Sequence, residues 1–195
     1  MRKWILRQLP FALGMLCLLA GRSSLADHYV VPSGSMERTL LVGDRVLVDK
    51  LAYGLRVPFT LIKVTPGPSP ARGDVVIFDS PADGTRLIKR VVAVAGDLVE
   101  VKGGHVFING GSLARRDDPE SETFDQRRAA LNLRFGGGPD LAPTTVPSGQ
   151  VLVLGDARGN SFDGRFFGFV REDHIYARAL GVYYRSDEGL VWRPL

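Results

Sequence analysis

The chain has 195 residues, 45% of them hydrophobic and 24% charged, a globular balance that leaves room for one domain carrying an insertion. The net charge of +4 comes without a dense Lys/Arg tract interleaved with aromatics, which disfavours nucleic-acid binding. A single cysteine, Cys17, excludes an intramolecular disulfide and a cysteine-based zinc site.

At the N-terminus Arg2, Lys3 and Arg7 precede an apolar run at 9–21; extended back to Trp4, the stretch 4–20 reaches the short end of membrane-spanning lengths. Positive charge before the run puts the N-terminus in the cytoplasm and the rest outside. The same stretch followed by Ser24-Leu25-Ala26 also fits a signal peptide, and both readings leave the remaining chain on the outer side of the membrane.

The body reads as strands. Arg45-Val46-Leu47-Val48-Asp49, Asp74-Val75-Val76-Ile77-Phe78, 87–94 and 150–154 are rich in β-branched residues, and 175–184 is a late apolar stretch expected to pair back into the sheet. Val106-Phe107-Ile108 runs into the hairpin signal Asn109-Gly110. Gly-Asp recurs at 43–44, 73–74 and 96–97, each time as a turn feeding an apolar run, and again at 155–156. Thr65-Pro66-Gly67-Pro68-Ser69-Pro70 must be a loop. Periodicity fades between 112 and 148, which reads as an insertion, with a short helix expected after Pro119 capped by Asp118. The expected architecture is mainly antiparallel β with an inserted cap.

Three stretches can carry chemistry. Pro32-Ser33-Gly34-Ser35-Met36 sets a serine in a turn where its hydroxyl stands clear, although the same residues also make an ordinary linker. A base is needed beside it. His28, His105 and His174 have no metal-binding spacing; His28 lies close enough in sequence to serve Ser35, and each also reads as a surface or structural histidine. Lys89 and Arg90 alternate across an apolar strand, so one cation faces a buried or substrate-facing surface. Only lysine can lose its proton there, although the strand taken alone favours a lysine snorkelling to water. The third stretch runs from Gly155 to Phe169. It is dense in turn formers, opposed charges and phenylalanines, so its polar groups must be satisfied internally, with Asp163 and Arg165 as natural partners and Ser161 able to hydrogen-bond a neutral amine.

In order along the chain, these pieces resemble the bacterial type I signal peptidases, membrane-anchored Ser/Lys endopeptidases. Ser33-Gly34-Ser35-Met36 with Thr39-Leu40 resembles the nucleophile box. Gly43-Asp44-Arg45-Val46-Leu47-Val48-Asp49-Lys50 with Ala52-Tyr53-Gly54 resembles the second. Arg72-Gly73-Asp74-Val75-Val76 with Lys89-Arg90-Val91-Val92 resembles the lysine box, and Gly155-Asp156 through Gly168-Phe169-Val170 the last.

The resemblance implies a twisted antiparallel β catalytic domain at 23–195, a small inserted β cap at about 103–148 and one N-terminal transmembrane helix at 1–22. It implies Ser35 as nucleophile and Lys89 as general base. Ser33 would support the oxyanion, Ser161 would orient the Lys89 amine, and Asp163 and Arg165 would support their loop. The implied activity is removal of signal peptides from exported preproteins at the outer face of the bacterial inner membrane, next to lipid, with no metal, no cofactor, no nucleic acid and no obligate protein partner. Alternatives are a related peptidase maturing a conjugation or pilus subunit, and a membrane-tethered domain that only binds. Arg38 stands where the family usually has proline. Ala157, Gly159 and Gly164 replace the usual Asn, Asp and Ser, and Phe166-Phe167 the usual Tyr-Trp.

Overall fold

A computed structural model describes Gly14 and residues 26–55, 64–125 and 127–195. Apart from Gly14, the expected anchor at 1–22 lies outside the described residues, among which no helix is long and apolar enough to cross a membrane.

The strands are β1 (Ala26–Val30), β2 (Arg45–Asp49), β3 (Val75–Asp79), β4 (Arg86–Val94), β5 (Leu98–Lys102), β6 (His105–Ile108), β7 (Gly111–Ser112), β8 (Ser121–Phe124), β9 (Arg127–Ala130), β10 (Leu141–Thr145), β11 (Gln150–Leu154), β12 (Val170–Arg171), β13 (Ile175–Arg185) and β14 (Gly189–Pro194). Every pairing between them is antiparallel. The main sheet runs β1-β2-β13-β3-β4-β11-β12, with β14 also on β13. The late strand β13 therefore sits between β2 and β3, as its apolar run requires. A second sheet, β10-β5-β6-β7, and the hairpin β8-β9 form the inserted part. Its strands begin at Leu98, ahead of the loss of periodicity.

Local chemistry sets these elements. Asn109 and Gly110 both take positive φ, 51° and 80°, the primed turn that matches strand twist between β6 and β7. The first three Gly-Asp turns share one device. Asp44, Asp74 and Asp97 accept from the backbone N–H three residues back, those of Leu41, Ala71 and Val94, each at 2.9 Å. Each carboxylate also meets a distant arginine: Arg185, Arg127 and Arg72 respectively. The turns feed β2, β3 and β5.

The helix expected after Pro119 does not form. Asp118 O accepts from Ser121 N in a turn, and 121–124 becomes β8. Pairing with β9 and burial of the Glu122 side chain outweigh the weak helical signal.

The core has three parts. Val46, Val48, Val75, Ile77, Ala177, Ala179 and Val182 line one face of the main sheet and receive Met36 and Leu40 from the segment after Ser35. Val76, Phe78, Val91, Val151 and Val153 form a second cluster. Val92, Ala93, Leu152 and Leu154 pack with Val99, Val101, Val106, Phe124 and Ala129, so the insertion shares its core with β4 and β11.

Candidate active site

Ser33-Gly34-Ser35-Met36 leaves β1 and turns through a 3-10 segment, Gly34–Met36. Met36 is fully buried and holds the turn to the sheet, while Ser35 is 8% exposed. Gly155 supports the turn from the other side. A Cβ there would overlap both the Ser35 carbonyl oxygen and Ser161 Oγ, so only glycine admits this approach. Ala157 N donates to Ser35 O at 3.1 Å and docks the nucleophile turn on the Gly155 loop.

Lys89 stands in β4 opposite Val76. From Lys89 to Ala93 every side chain of β4 is buried, so both strand faces are covered and Lys89 and Arg90 both lie inside. Their surroundings differ. Arg90 meets Asp156 through Nε at 2.9 Å and Nη2 at 2.7 Å and donates to Gly73 O at 2.9 Å. Lys89 Nζ lies 2.5 Å from Ser35 Oγ, buried. Burial lowers the Lys89 pKa from 10.5 to about 8; the charges of Asp163 and Asp156 pull it back up, and Arg165 pushes it down. A serine hydroxyl thus lies within hydrogen-bond reach of an amine that sheds its proton about two pH units more readily than an ordinary lysine, the arrangement a nucleophile and its base require.

The other expected site residues lie close around this pair. Ser33 Oγ is 3.5 Å from Ser35 Oγ. Asp163 and Arg165 form a buried bidentate pair, with Arg165 Nε to Asp163 Oδ1 at 2.9 Å and Nη2 to Oδ2 at 2.8 Å. Asp163 also accepts from Gly155 N at 3.0 Å and caps the one-turn helix Gly164–Phe167. Ser161 Oγ is buried without a hydrogen-bond partner among the described residues, and it makes no bond to Lys89. It lies instead beside Gly155, on the side where Ser35 O approaches.

The loop's phenylalanines divide. Phe167 packs on Phe78, whereas Phe162 and Phe166 stack with centroids 5.3 Å apart and are exposed. Gly159 lies where the backbone of 135–136, and Gly164 where the Leu152 side chain and the Val153 backbone, come too close for a side chain. Arg38 takes φ 80°, which proline cannot adopt, and its Nη1 donates to Glu120 Oε2 at 2.6 Å and Leu131 O at 3.0 Å. None of the three histidines hydrogen-bonds Ser35: His28 and His174 are exposed beside Asp27 and Asp173, and His105 Nδ1 is buried without a partner among the described residues. Among the described residues no cluster of His, Cys, Asp or Glu could hold a metal ion.

A groove of about 210 Å³ opens on the pair. Tyr29, Val31 and Pro32 line it on the β1 side and Leu87, Ile88 and Lys89 on the β4 side. Its walls are mostly apolar, the serine–lysine contact closes one end, and the groove has room for an extended peptide between its walls.

The model of one protein family, described as signal peptidase, peptidase S26, matches residues 1–184. The chain belongs to the signal peptidase family. It is 34% identical over 192 residues to Signal peptidase I of Pseudomonas fluorescens, covering 85% of this chain and 67% of that one. It is 33% identical over 165 residues to a probable signal peptidase I-2 of Synechocystis, covering 81% and 63%. A solved signal peptidase I from Enterococcus faecalis is 29% identical, with a TM-score of 0.39, over 64% of this chain and 97% of that one. The chain thus spans about two thirds of the length of the curated relatives it matches. Sequence boxes had already picked out Ser35 and Lys89. They passed over Glu122 and Asn132, which tie the insertion to the site loop through Arg158 and the backbone around Ala157, because nothing in an aperiodic stretch marks a buried polar residue.

Proposed function

We propose that this signal peptidase family member is a membrane-bound serine endopeptidase that removes N-terminal signal peptides from exported preproteins. The observation that carries the mechanism is the buried 2.5 Å contact between Lys89 Nζ and Ser35 Oγ, with the amine's pKa lowered to about 8. Neutral Lys89 takes the Ser35 proton as Oγ attacks the scissile carbonyl. The Ser33 hydroxyl and the Ser35 backbone N–H receive the developing oxyanion. The lysine then protonates the leaving amine and later activates the water that releases the acyl-enzyme. The Asp163–Arg165 pair fixes the loop beside the base and keeps two opposite charges balanced near it.

The substrate lies extended in the groove between β1 and β4, its residues before the cut facing apolar walls. An anchor at 1–22 delivers the catalytic domain, 23–195 with its cap at about 103–148, to the outer face of the inner membrane. The exposed Phe162 and Phe166 suit the interfacial layer there. A lysine buried and depressed in this way argues against a domain that only binds, in which it would titrate near 10.5.

The test is cleavage of a secretory preprotein by the detergent-solubilised chain beside Lys89→Ala. Cleavage at the small-residue site by wild type alone is expected. Equal cleavage by a folded Lys89→Ala removes the lysine from the mechanism, and no cleavage by wild type across several preproteins removes the activity.

A further inference from the structure

We propose that Asn132, from the insertion, is a positioning residue for Ser35, acting through Glu37; this rests on the peptidase reading above. Asn132 is 3% exposed, and all its polar groups have partners. Its N–H donates to Asp156 O at 2.9 Å and its carbonyl accepts from Arg158 N at 3.2 Å, a parallel bridge around Ala157. Its Oδ1 accepts from Arg134 N at 3.1 Å, which fixes the amide so that Nδ2 donates to Glu37 Oε2 at 2.8 Å.

These bonds close a ring. Ala157 N holds the carbonyl of Ser35, Asn132 holds both flanks of Ala157, and the Asn132 side chain returns to Glu37, two residues beyond Ser35. Arg38 adds a parallel tie to Leu131 O and Glu120. The nucleophile turn is thereby fixed at both ends to one buried point. That point belongs to neither the nucleophile stretch nor the loop of 155–169. A cap that only shielded the site would need no such bond. The insertion therefore sets where Oγ stands relative to the Lys89 amine, and a small displacement there is costly in rate.

The asparagine is needed for its donor. Asn132→Asp keeps size and the Arg134 bond but sets a carboxylate against Glu37. With the full chain and a secretory preprotein, kcat should fall ~10- to 100-fold, whereas KM, set by the groove, should change less than ~3-fold. Adding Glu37→Gln gives the new carboxylate an amide donor, re-forms the bond with reversed polarity and should return most of the lost kcat. Glu37→Ala leaves the buried asparagine untouched and should lose kcat in the same way, so the proposal stays testable if Asn132→Asp does not fold. Wild-type kcat in Glu37→Ala overturns the proposal, as does a folded double variant no faster than Asn132→Asp. A wild type that cleaves nothing overturns the peptidase reading itself, whereas wild-type cleavage without rescue overturns only the clamp.

Discussion

Lys89 and Arg90 are consecutive and almost equally buried, at 3% and 2% exposure, yet Arg90 is matched by the Asp156 carboxylate while Lys89 faces an uncharged hydroxyl. Two neighbouring cations on one strand are thus held in opposite states of charge compensation.

In the proposed mechanism Lys89 must be neutral to accept the Ser35 proton. With the Lys89 pKa at about 8, kcat/KM should rise about tenfold per pH unit below pH 8 and level off above it. Initial rates of preprotein cleavage between pH 6 and pH 10 measure this, and a profile flat through pH 8 would remove Lys89 as the titrating base.

The same shift costs stability. The folded-state pKa lies below the ordinary 10.5, so the unfolded chain binds more protons between about 8 and 10.5, and stability rises with pH across that window. Below pH 8 the deficit is fully present. Lys89→Met should therefore be more stable than wild type at pH 7, by on the order of 1–3 kcal/mol, with the gap closing toward pH 10. Urea denaturation at the two pH values tests it.

Arg90 should behave in the reverse way. Arg90→Ala leaves Asp156 fully buried without its cation and frees the bond to Gly73 O. A loss of about 3–5 kcal/mol is expected at neutral pH. Denaturation of Arg90→Ala next to Lys89→Met would give shifts of opposite sign, and a common sign would contradict the assignment of charge states.

Gly155→Ala inserts a methyl group between Ser161 Oγ and the Ser35 carbonyl. The turn or the Ser161 side chain must give way, which moves Ser35 relative to Lys89, and kcat should fall on the order of 100-fold. Circular dichroism of the variant should stay that of wild type, since the sheet strands are untouched; unchanged kcat would mean that the approach of these backbones does not set the serine.

Arg38 reverses a family expectation. Proline is usual at this point of the nucleophile box, but φ here is 80° and proline is confined near −65°. Arg38→Pro should lower both the melting temperature and kcat, while Arg38→Gly, which accepts the φ, should lower them less despite losing the bonds to Glu120 and Leu131. A Pro variant as good as wild type would place the natural φ elsewhere.

The sheet was readable because its strands carry β-branched or apolar stretches, and Arg45 to Asp49, Arg86 to Val94 and Ile175 to Arg185 form where those stretches stand. The contact between Ser35 and Lys89 is the one that the order of the boxes led us to expect. β8 and β9 were not readable, since their residues are mostly polar: Glu122 is buried because Arg158 neutralises it from a distant loop, a contact that local pattern does not carry. The same holds for Asn132 and for the left-handed Arg38. Alternation could not decide between Lys89 and Arg90, because the inserted sheet covers the face of β4 that a lone sheet would expose.

The order in which the chain is made adds a consequence to the bond between Ala157 N and Ser35 O. The nucleophile emerges early, but the groups that seat it come from residues 131–158, and the Asp44 turn behind it waits for Arg185 in the last long strand. A growing or truncated chain therefore has its serine long before it has a working catalyst.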